Sequence, residues 1–366
     1  MNGDDPFHVP LLLHFLGGCV QVCRGAFLAL GRLESHVLES ELGAIEVTMP
    51  IFVCGLARSG STLLHLALSR VPGVGTHRAK DYPLVYTPHW WRQATKSQPG
   101  PPRERAHGDR VMITSDSPEA LEEMIWMAYF RDCHDPRVSN ALNAEVRQPD
   151  FESFYATHIR KLLLTERATR YVAKANYHIA RLPYLLRLFP DARFVIPIRD
   201  PVSHIASLVR QHQRFCEGER RHPRALAHMQ RAGHFEFGLD RRPINLGDRT
   251  RVEEIEQAWQ RGEEVLGWAK YWAMVHDYLA DLLESDVRVR AATIVVRYES
   301  VCDAPAKSMD AVLRHCVLEV PDDFLQDIAT GVRASNYYAS PLSSLCVELI
   351  QQVTAVSASR WATLGK

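Results

Sequence analysis

The chain has 366 residues, 46% of them hydrophobic, enough for one large core or two smaller ones. Lys plus Arg and Asp plus Glu stand at 43 each, so no global basic field favours nucleic acid and any anion site must be local. Eight cysteines without a C-x-x-C pair fit reduced thiols in a cytoplasmic protein better than a disulfide framework or a zinc centre.

The chain opens MNGDDPFHVP, acidic where a signal peptide is basic. Residues 9–30 are apolar, yet Gly17, Gly18, Gln21 and Arg24 interrupt them. That falls short of the unbroken run of about 20 apolar residues that crosses a membrane. The pattern predicts one or two amphipathic helices reaching about Leu42, a helical extension over residues 1–48 that packs on the body. Peripheral contact with a membrane is the minor alternative.

Ile51, Phe52, Val53 and Cys54 then read as a short buried parallel strand. Gly55-Leu56-Ala57-Arg58-Ser59-Gly60-Ser61-Thr62 follows, and Leu63, Leu64, Leu66 and Leu68 recur at helical spacing. A strand, a small-residue loop and a helix start make a phosphate cradle, because backbone N–H groups and the helix dipole both favour an anion. A Walker A loop carries lysine where this chain has Ser61; the cation here stands three residues earlier, at Arg58.

Past a turn at 71–75, Thr76-His77-Arg78-Ala79-Lys80-Asp81-Tyr82-Pro83 is dense in titratable groups. Residues 86–109, with Trp90, Trp91 and several prolines, predict a long ordered loop over a surface or cleft. Ser117-Pro118-Glu119 has the chemistry of a helix start, ahead of an apolar stripe at Leu121, Met124, Ile125 and Ala128. A second α/β unit spans 151–210: a strand at Tyr171-Val172-Ala173 ends in Lys174, and a strand at 194–198 ends in Arg199. Alternating strands and helices predict a mainly parallel sheet, with function gathered at the strands' carboxyl ends, where Arg58, Lys174 and Arg199 fall. Residues 211–250, rich in Arg and His, read as an irregular insertion or lid, and 253–284 as one long helix. The histidines between 204 and 234 have spacings that suit no standard metal site. A strand at 292–297 closes on Tyr298-Glu299-Ser300, before a helical tail.

The loop around Arg58-Ser59-Gly60-Ser61-Thr62 resembles the 5′-phosphosulfate loop of sulfotransferases that use 3′-phosphoadenosine-5′-phosphosulfate (PAPS), in the branch with R-S-G-[ST]-T. Residues 194–207 are similar to that family's 3′-phosphate motif, a strand ending in R-[DN]-P with a serine eight residues past the arginine: here Arg199 and Ser207. An arginine fork and a hydroxyl two helical turns on can grip one phosphate together. Lys174 resembles the family's K-x-P lysine, which faces the transferring sulfonate, although Asn176 replaces the proline. Tyr298-Glu299 is similar to a Y-E-[DS]-L segment whose tyrosine packs near the adenine; closing a buried strand is its other reading. A last cofactor loop should fall near 331–335.

The resemblance implies a three-layer α/β/α domain with a P-loop-like architecture over 49–366. It also implies sulfonate transfer from PAPS by in-line displacement, without a metal. The acceptor would be a hydroxyl or amine of a small molecule, glycan or lipid. Arg58 would neutralise the bridging oxygen, and Ser59, Gly60, Ser61 and Thr62 would hold the 5′-phosphate. Related enzymes place a base soon after the first helix. There this chain offers His77, with Asp81 as orienting partner or substitute, and His107 if the 86–109 loop folds back. Two other classes stay open. A P-loop kinase or NTPase is disfavoured by the missing lysine and by the arginine ahead of Asp200. A nucleotide-binding scaffold without turnover has no sequence feature against it.

Overall fold

The computed structural model describes residues 5–95, 100–109, 111–331 and 342–364. Its strands, in chain order, are β1 (Ile51–Val53), β2 (Val74–Gly75), β3 (Arg103–Glu104), β4 (Met112–Ile113), β5 (Arg170–Lys174), β6 (Arg193–Ile198) and β7 (Thr293–Arg297). β3 and β4 pair antiparallel as a separate hairpin. The other five make a parallel sheet in the order β2-β5-β1-β6-β7. β1 is central, with Val53 in register with Lys174 on one side and Val195 on the other.

Side chains alternate along each strand and so feed two cores. Ile51, Val53, Val172 and Val195 face one side, covered by the helices Ser61–Leu68 and Pro305–His315 through Leu64, Leu68, Met309 and Val312. Phe52, Tyr171, Ala173, Phe194 and Ile196 face the other, against helices Pro149–Glu166, Pro201–Arg221 and Glu264–Ser285. The result is the expected three-layer α/β fold with a mainly parallel sheet.

The N-terminal residues form the helices Leu11–Val22, Arg24–Val37 and Glu39–Gly43. They dock through a buried ion pair, Glu34 Oε2 to Lys161 Nζ at 2.9 Å, while Glu34 Oε1 accepts from the Trp90 amide. Among the described residues no single helix is long and apolar enough to cross a membrane.

Four local expectations change. The 86–109 stretch contains the helix Pro88–Ala94 and strand β3 as well as loop. Ser117-Pro118 starts no helix; Pro118 bridges to Arg78, and the helix begins at Glu123. The 211–250 stretch is helical through its first half, as the end of Pro201–Arg221 and as Pro223–Ala232. The long helix predicted over 253–284 is two, Arg249–Gln260 and Glu264–Ser285, divided at Gly262, whose φ of +75° suits glycine and stops a helix. The expected last cofactor loop at 331–335 lies outside the described residues from 332 on.

Candidate active site

Every strand of the sheet except its β2 edge delivers a polar group at its carboxyl end. β1 opens into the small-residue loop, β5 ends in Lys174, β6 is followed by Arg199 and β7 by Tyr298. Because these four strands are neighbours in a parallel sheet, their ends form one rim, the usual place for a ligand in such folds. The rim rests on backbone hydrogen bonds from Cys54 N to Val195 O and from Ala175 N to Val53 O.

The loop has the backbone of an anion cradle. Arg58 is held at φ +70°, a region few non-glycine residues occupy, and Gly60 sits at φ +110° just ahead of the helix Ser61–Leu68. A Cβ on Gly60 would lie 2.7 Å from Tyr298 Cδ2, so that position needs glycine for space as well as for conformation. Ser59 and Ser61 are buried, and Ser59 Oγ has no hydrogen-bond partner.

Arg199 turns toward this loop. Its guanidinium stacks 4.7 Å from the centre of the Tyr298 ring, and its Nη1 donates to Arg58 O at 3.4 Å. The following helix starts on Pro201, with Asp200 accepting from Ser203 N, and Asp200 N donates to Glu299. The Arg199-Asp200 and Tyr298-Glu299 segments are therefore latched together. Ser207 lies on the same rim, but its Oγ accepts from Arg58 Nε at 3.3 Å, whereas Arg199 Nε reaches Ser203 Oγ one turn earlier. Ser203 is a hydroxyl that the motif spacing did not single out.

Lys174 stands among charges of both signs. Burial lowers its pKa, Glu236 and Glu119 raise it, and Arg105 and Arg58 lower it again. Glu236 accepts from Asn176 Nδ2 at 2.6 Å, and it lies 3.6 Å from His234 Nδ1. Burial works against the Glu236 carboxylate, but His234, Lys174 and Asn176 prevail and bring its pKa to about 2. Sequence order could not assign these partners to the site, because Glu119 and Glu236 arrive from segments far from the motifs. Glu119 is placed by backbone pairing: its N–H donates to His77 O.

The loop after β3 folds back over the same rim. Asp109 accepts from Arg58 Nη1 at 2.8 Å and from Arg105 Nε at 2.9 Å. The ring of His107 packs edge-on to Phe215 at 5.2 Å. Burial pushes the His107 pKa well below its ordinary value, and Arg105, Arg58 and Lys174 push the same way. His107 is thus disfavoured as an imidazolium, in the field of two of the motif cations.

His77 and Asp81 are placed differently. Both are buried, and Asp81 accepts from Arg92 Nε and Nη2 at 2.6 Å each. His77 Nδ1 lies 3.0 Å from Asp81 Oδ2, and its Nε2 lies 3.0 Å from His158 Nε2. Both ring nitrogens are engaged inside the protein, so the pair is not turned to the rim that holds Arg58 and Lys174.

Comparison with known proteins follows this geometry. The model of a family described as the sulfotransferase family matches residues 50–243, more than half of the chain. No curated protein matches the chain. Among solved structures, a sulfotransferase from Mycobacterium tuberculosis H37Rv is similar at 18% identity and a TM-score of 0.47, over 93% of this chain and 86% of that one. One from Mycobacterium avium is similar at 15% identity and a TM-score of 0.48, over 90% and 81%. One from Alicyclobacillus acidocaldarius is similar at 14% identity and a TM-score of 0.43, over 87% and 96%.

Proposed function

The chain belongs to the sulfotransferase family, and from that premise we propose that it transfers a sulfonate group from PAPS to a hydroxyl or amine of a small-molecule, glycan or lipid acceptor. The observation that carries this reading is the convergence of Arg58, Arg199, Ser207 and Lys174 on one rim around a glycine-bearing loop. The donor's chemistry fits the residues present. The buried Ser59 hydroxyl lacks a partner, and Gly60, at φ +110° and with no room for a Cβ beside Tyr298, keeps the loop backbone bare ahead of the helix Ser61–Leu68. Arg199 and the hydroxyls of Ser203 and Ser207 would take the 3′-phosphate, and the amides and hydroxyls of 59–62 the 5′-phosphate. The Tyr298 ring, already against Gly60 and Arg199, would wall the nucleotide.

Bound there, PAPS would supply the sulfonate, its bond to the bridging oxygen breaking as the acceptor's oxygen or nitrogen bonds to sulfur. Arg58 would neutralise charge growing on that bridging oxygen, and Lys174 would face the sulfonate oxygens. For the proton of the acceptor, His107 replaces His77. Burial holds its pKa well below the ordinary value, and its loop carries Asp109, which bonds Arg58, whereas His77 is enclosed with Asp81 and His158.

Calorimetry tests the donor assignment: 3′,5′-adenosine diphosphate should bind far more tightly than AMP, and Arg199→Ala should erase most of that difference, about 1.5–3 kcal/mol. Equal affinities, or preference for ATP, would turn the reading toward a kinase or NTPase. With an acceptor in hand, His107→Gln should lower kcat and remove the acidic limb of the pH profile, while His77→Gln should leave that limb in place.

A further inference from the structure

The reading above uses Arg58 but leaves its partners, Arg105 and Asp109, without a role. Arg105 and Asp109 both lie in the loop after β3, and they meet Arg58 in a three-membered cluster. Arg105 donates to Asp109 through Nε and Nη2, while Arg58 Nη1 reaches the same carboxylate at 2.8 Å. Arg105 also extends Nη1 to Thr62 Oγ1 at 3.4 Å, so it touches the first turn of the helix that closes the phosphate cradle.

This is not a solvated surface pair. Side-chain exposures are 19% for Arg58, 16% for Arg105 and 18% for Asp109. The loop is fastened to the helix Pro201–Arg221 by Arg214 Nε donating to Ala106 O and by the His107–Phe215 ring contact. That helix also carries Ser203 and Ser207. The cluster is therefore built on the donor-facing part of the sheet rim.

Its charge does not balance. Burial raises the pKa of Asp109, but Arg105 and Arg58 outweigh it and hold the carboxyl well below the usual carboxylate range. Burial lowers the pKa of Arg58; Asp109 opposes that, and Arg105 and Arg199 add to it as like charges. Arg105 and Arg58 also depress Lys174. One carboxylate thus stands against two guanidiniums in direct contact, and Arg199 adds like charge, while Lys174 has Glu236 and Glu119 as its own counter-charges. A group with more negative charge and a third oxygen would satisfy those forks better than a carboxylate does.

We propose that Arg105 is a second arginine for the phosphosulfate of the donor and that Asp109 is its resting counter-ion, replaced on Arg58 and Arg105 when the donor binds. The assignment rests on the sulfotransferase reading for the identity of the ligand. Its physical content is an exchange of one anion for another on the same two forks. Both arginines are paired before and after the exchange, so the cost of losing a partner falls on Asp109, whose side chain is 18% exposed. Arg105 gives the transferring end of the donor a contact that neither the small-residue loop nor the Arg199 motif supplies.

Titration calorimetry on the full chain, with 3′,5′-adenosine diphosphate and with inorganic pyrophosphate, tests the proposal. Arg105→Gln should weaken both ligands about tenfold or more, the loss of a charge-assisted contact. Asp109→Asn, nearly isosteric, should tighten both by about threefold or more, because no carboxylate competes for the forks. The double variant should lose most of that gain. Thermal melting without ligand confirms that each variant is folded, and Asp109→Ser repeats the test if Asp109→Asn is not. Weaker or unchanged binding in Asp109→Asn, or unchanged binding in Arg105→Gln, overturns the proposal. Pyrophosphate needs only the cradle. If wild-type protein fails to prefer 3′,5′-adenosine diphosphate over AMP, the donor reading falls. The Arg105–Asp109 exchange is still decided by the pyrophosphate series.

Discussion

Two groups of enclosed charge in the molecule use the same residue types to opposite ends. In the first, Asp81 takes two bonds from Arg92, one from the Arg78 amide and one contact from His77. Glu166 takes Arg78 and Arg92. Next to it Glu122 accepts from Tyr155 at 2.6 Å and Tyr171 at 2.7 Å, with His178 Nε2 2.7 Å away, and Glu123 holds Arg181 through both oxygens. Each carboxylate there is saturated by neighbours from several elements. In the second group Arg58, Arg105, Arg199 and Lys174 lie in one another's field; Asp109 is bonded to Arg58 and Arg105, and Glu236 and Glu119 act on Lys174. The first group closes on itself and ties helices to the sheet. The second leaves two arginine forks on a single bonded carboxylate, the balance that the proposed anion site requires. Burial and charge are common to both; the balance of sign separates structure from function.

The comparison breaks most visibly at Arg92. Arg92→Leu removes the partner that Asp81 and Glu166 share, and breaking a buried ion pair from one side costs about 3–5 kcal/mol. Urea unfolding should show that loss, and the triple variant with Asp81→Asn and Glu166→Gln should recover most of it. A loss under about 1 kcal/mol would mean that the network is not closed in the sense argued here.

Arg58→Ala should do the reverse. We expect kcat to fall about a hundredfold or more, as for other groups that meet charge formed in the transition state, with little change in unfolding free energy. Arg58→Lys should recover part of the rate by restoring the charge without the fork. A variant that raises only the apparent KM for PAPS would make Arg58 a uniform binder.

His65 lies between the two groups and tests their field. It is buried with Nε2 2.9 Å from Thr76 Oγ1, and burial together with Lys174 brings its pKa down to about 3. An unfolded histidine titrates near 6.5, so between these values the unfolded chain binds the extra proton. The folded state is therefore undiminished above about pH 6.5 and loses stability as pH falls below it. The loss should reach about 2 kcal/mol by pH 5. His65→Gln should flatten that slope in pH-dependent denaturation; an identical slope would remove His65 from the account.

The smallest effect belongs to Ser207, whose neutral hydroxyl contributes one contact. Ser207→Ala should weaken 3′,5′-adenosine diphosphate by about 1 kcal/mol and leave AMP unchanged. Equal losses for both nucleotides would place Ser207 away from the 3′-phosphate.

Much of the frame was legible in the chain. The runs at 51–54, 171–173 and 194–198 lie in a buried sheet, and such strands are apolar on both faces. Glycine and proline marked the turns around them, and the strand-end cations followed from that register. The tertiary context overrode local chemistry at Ser117-Pro118, where pairing with Arg78 claimed a good helix start, and at Gly262, which split a continuous apolar stripe. It also enclosed His77 and Asp81, the residues the sequence offered as base and orienting partner.

The sequence by itself determined the cradle, the parallel sheet and the positions of Arg58, Lys174, Arg199 and Tyr298, because each depends on residues adjacent in the chain or on strand period. Only the tertiary structure decided which titratable groups face that cradle. Arg105, His107 and Asp109 reach it through a loop anchored on a distant helix, and Glu119 and Glu236 reach it through pairings with other segments. Whether a charge is spent in a closed network or left to meet a ligand depends on neighbours brought together in space, and spacing along the chain carries no record of them.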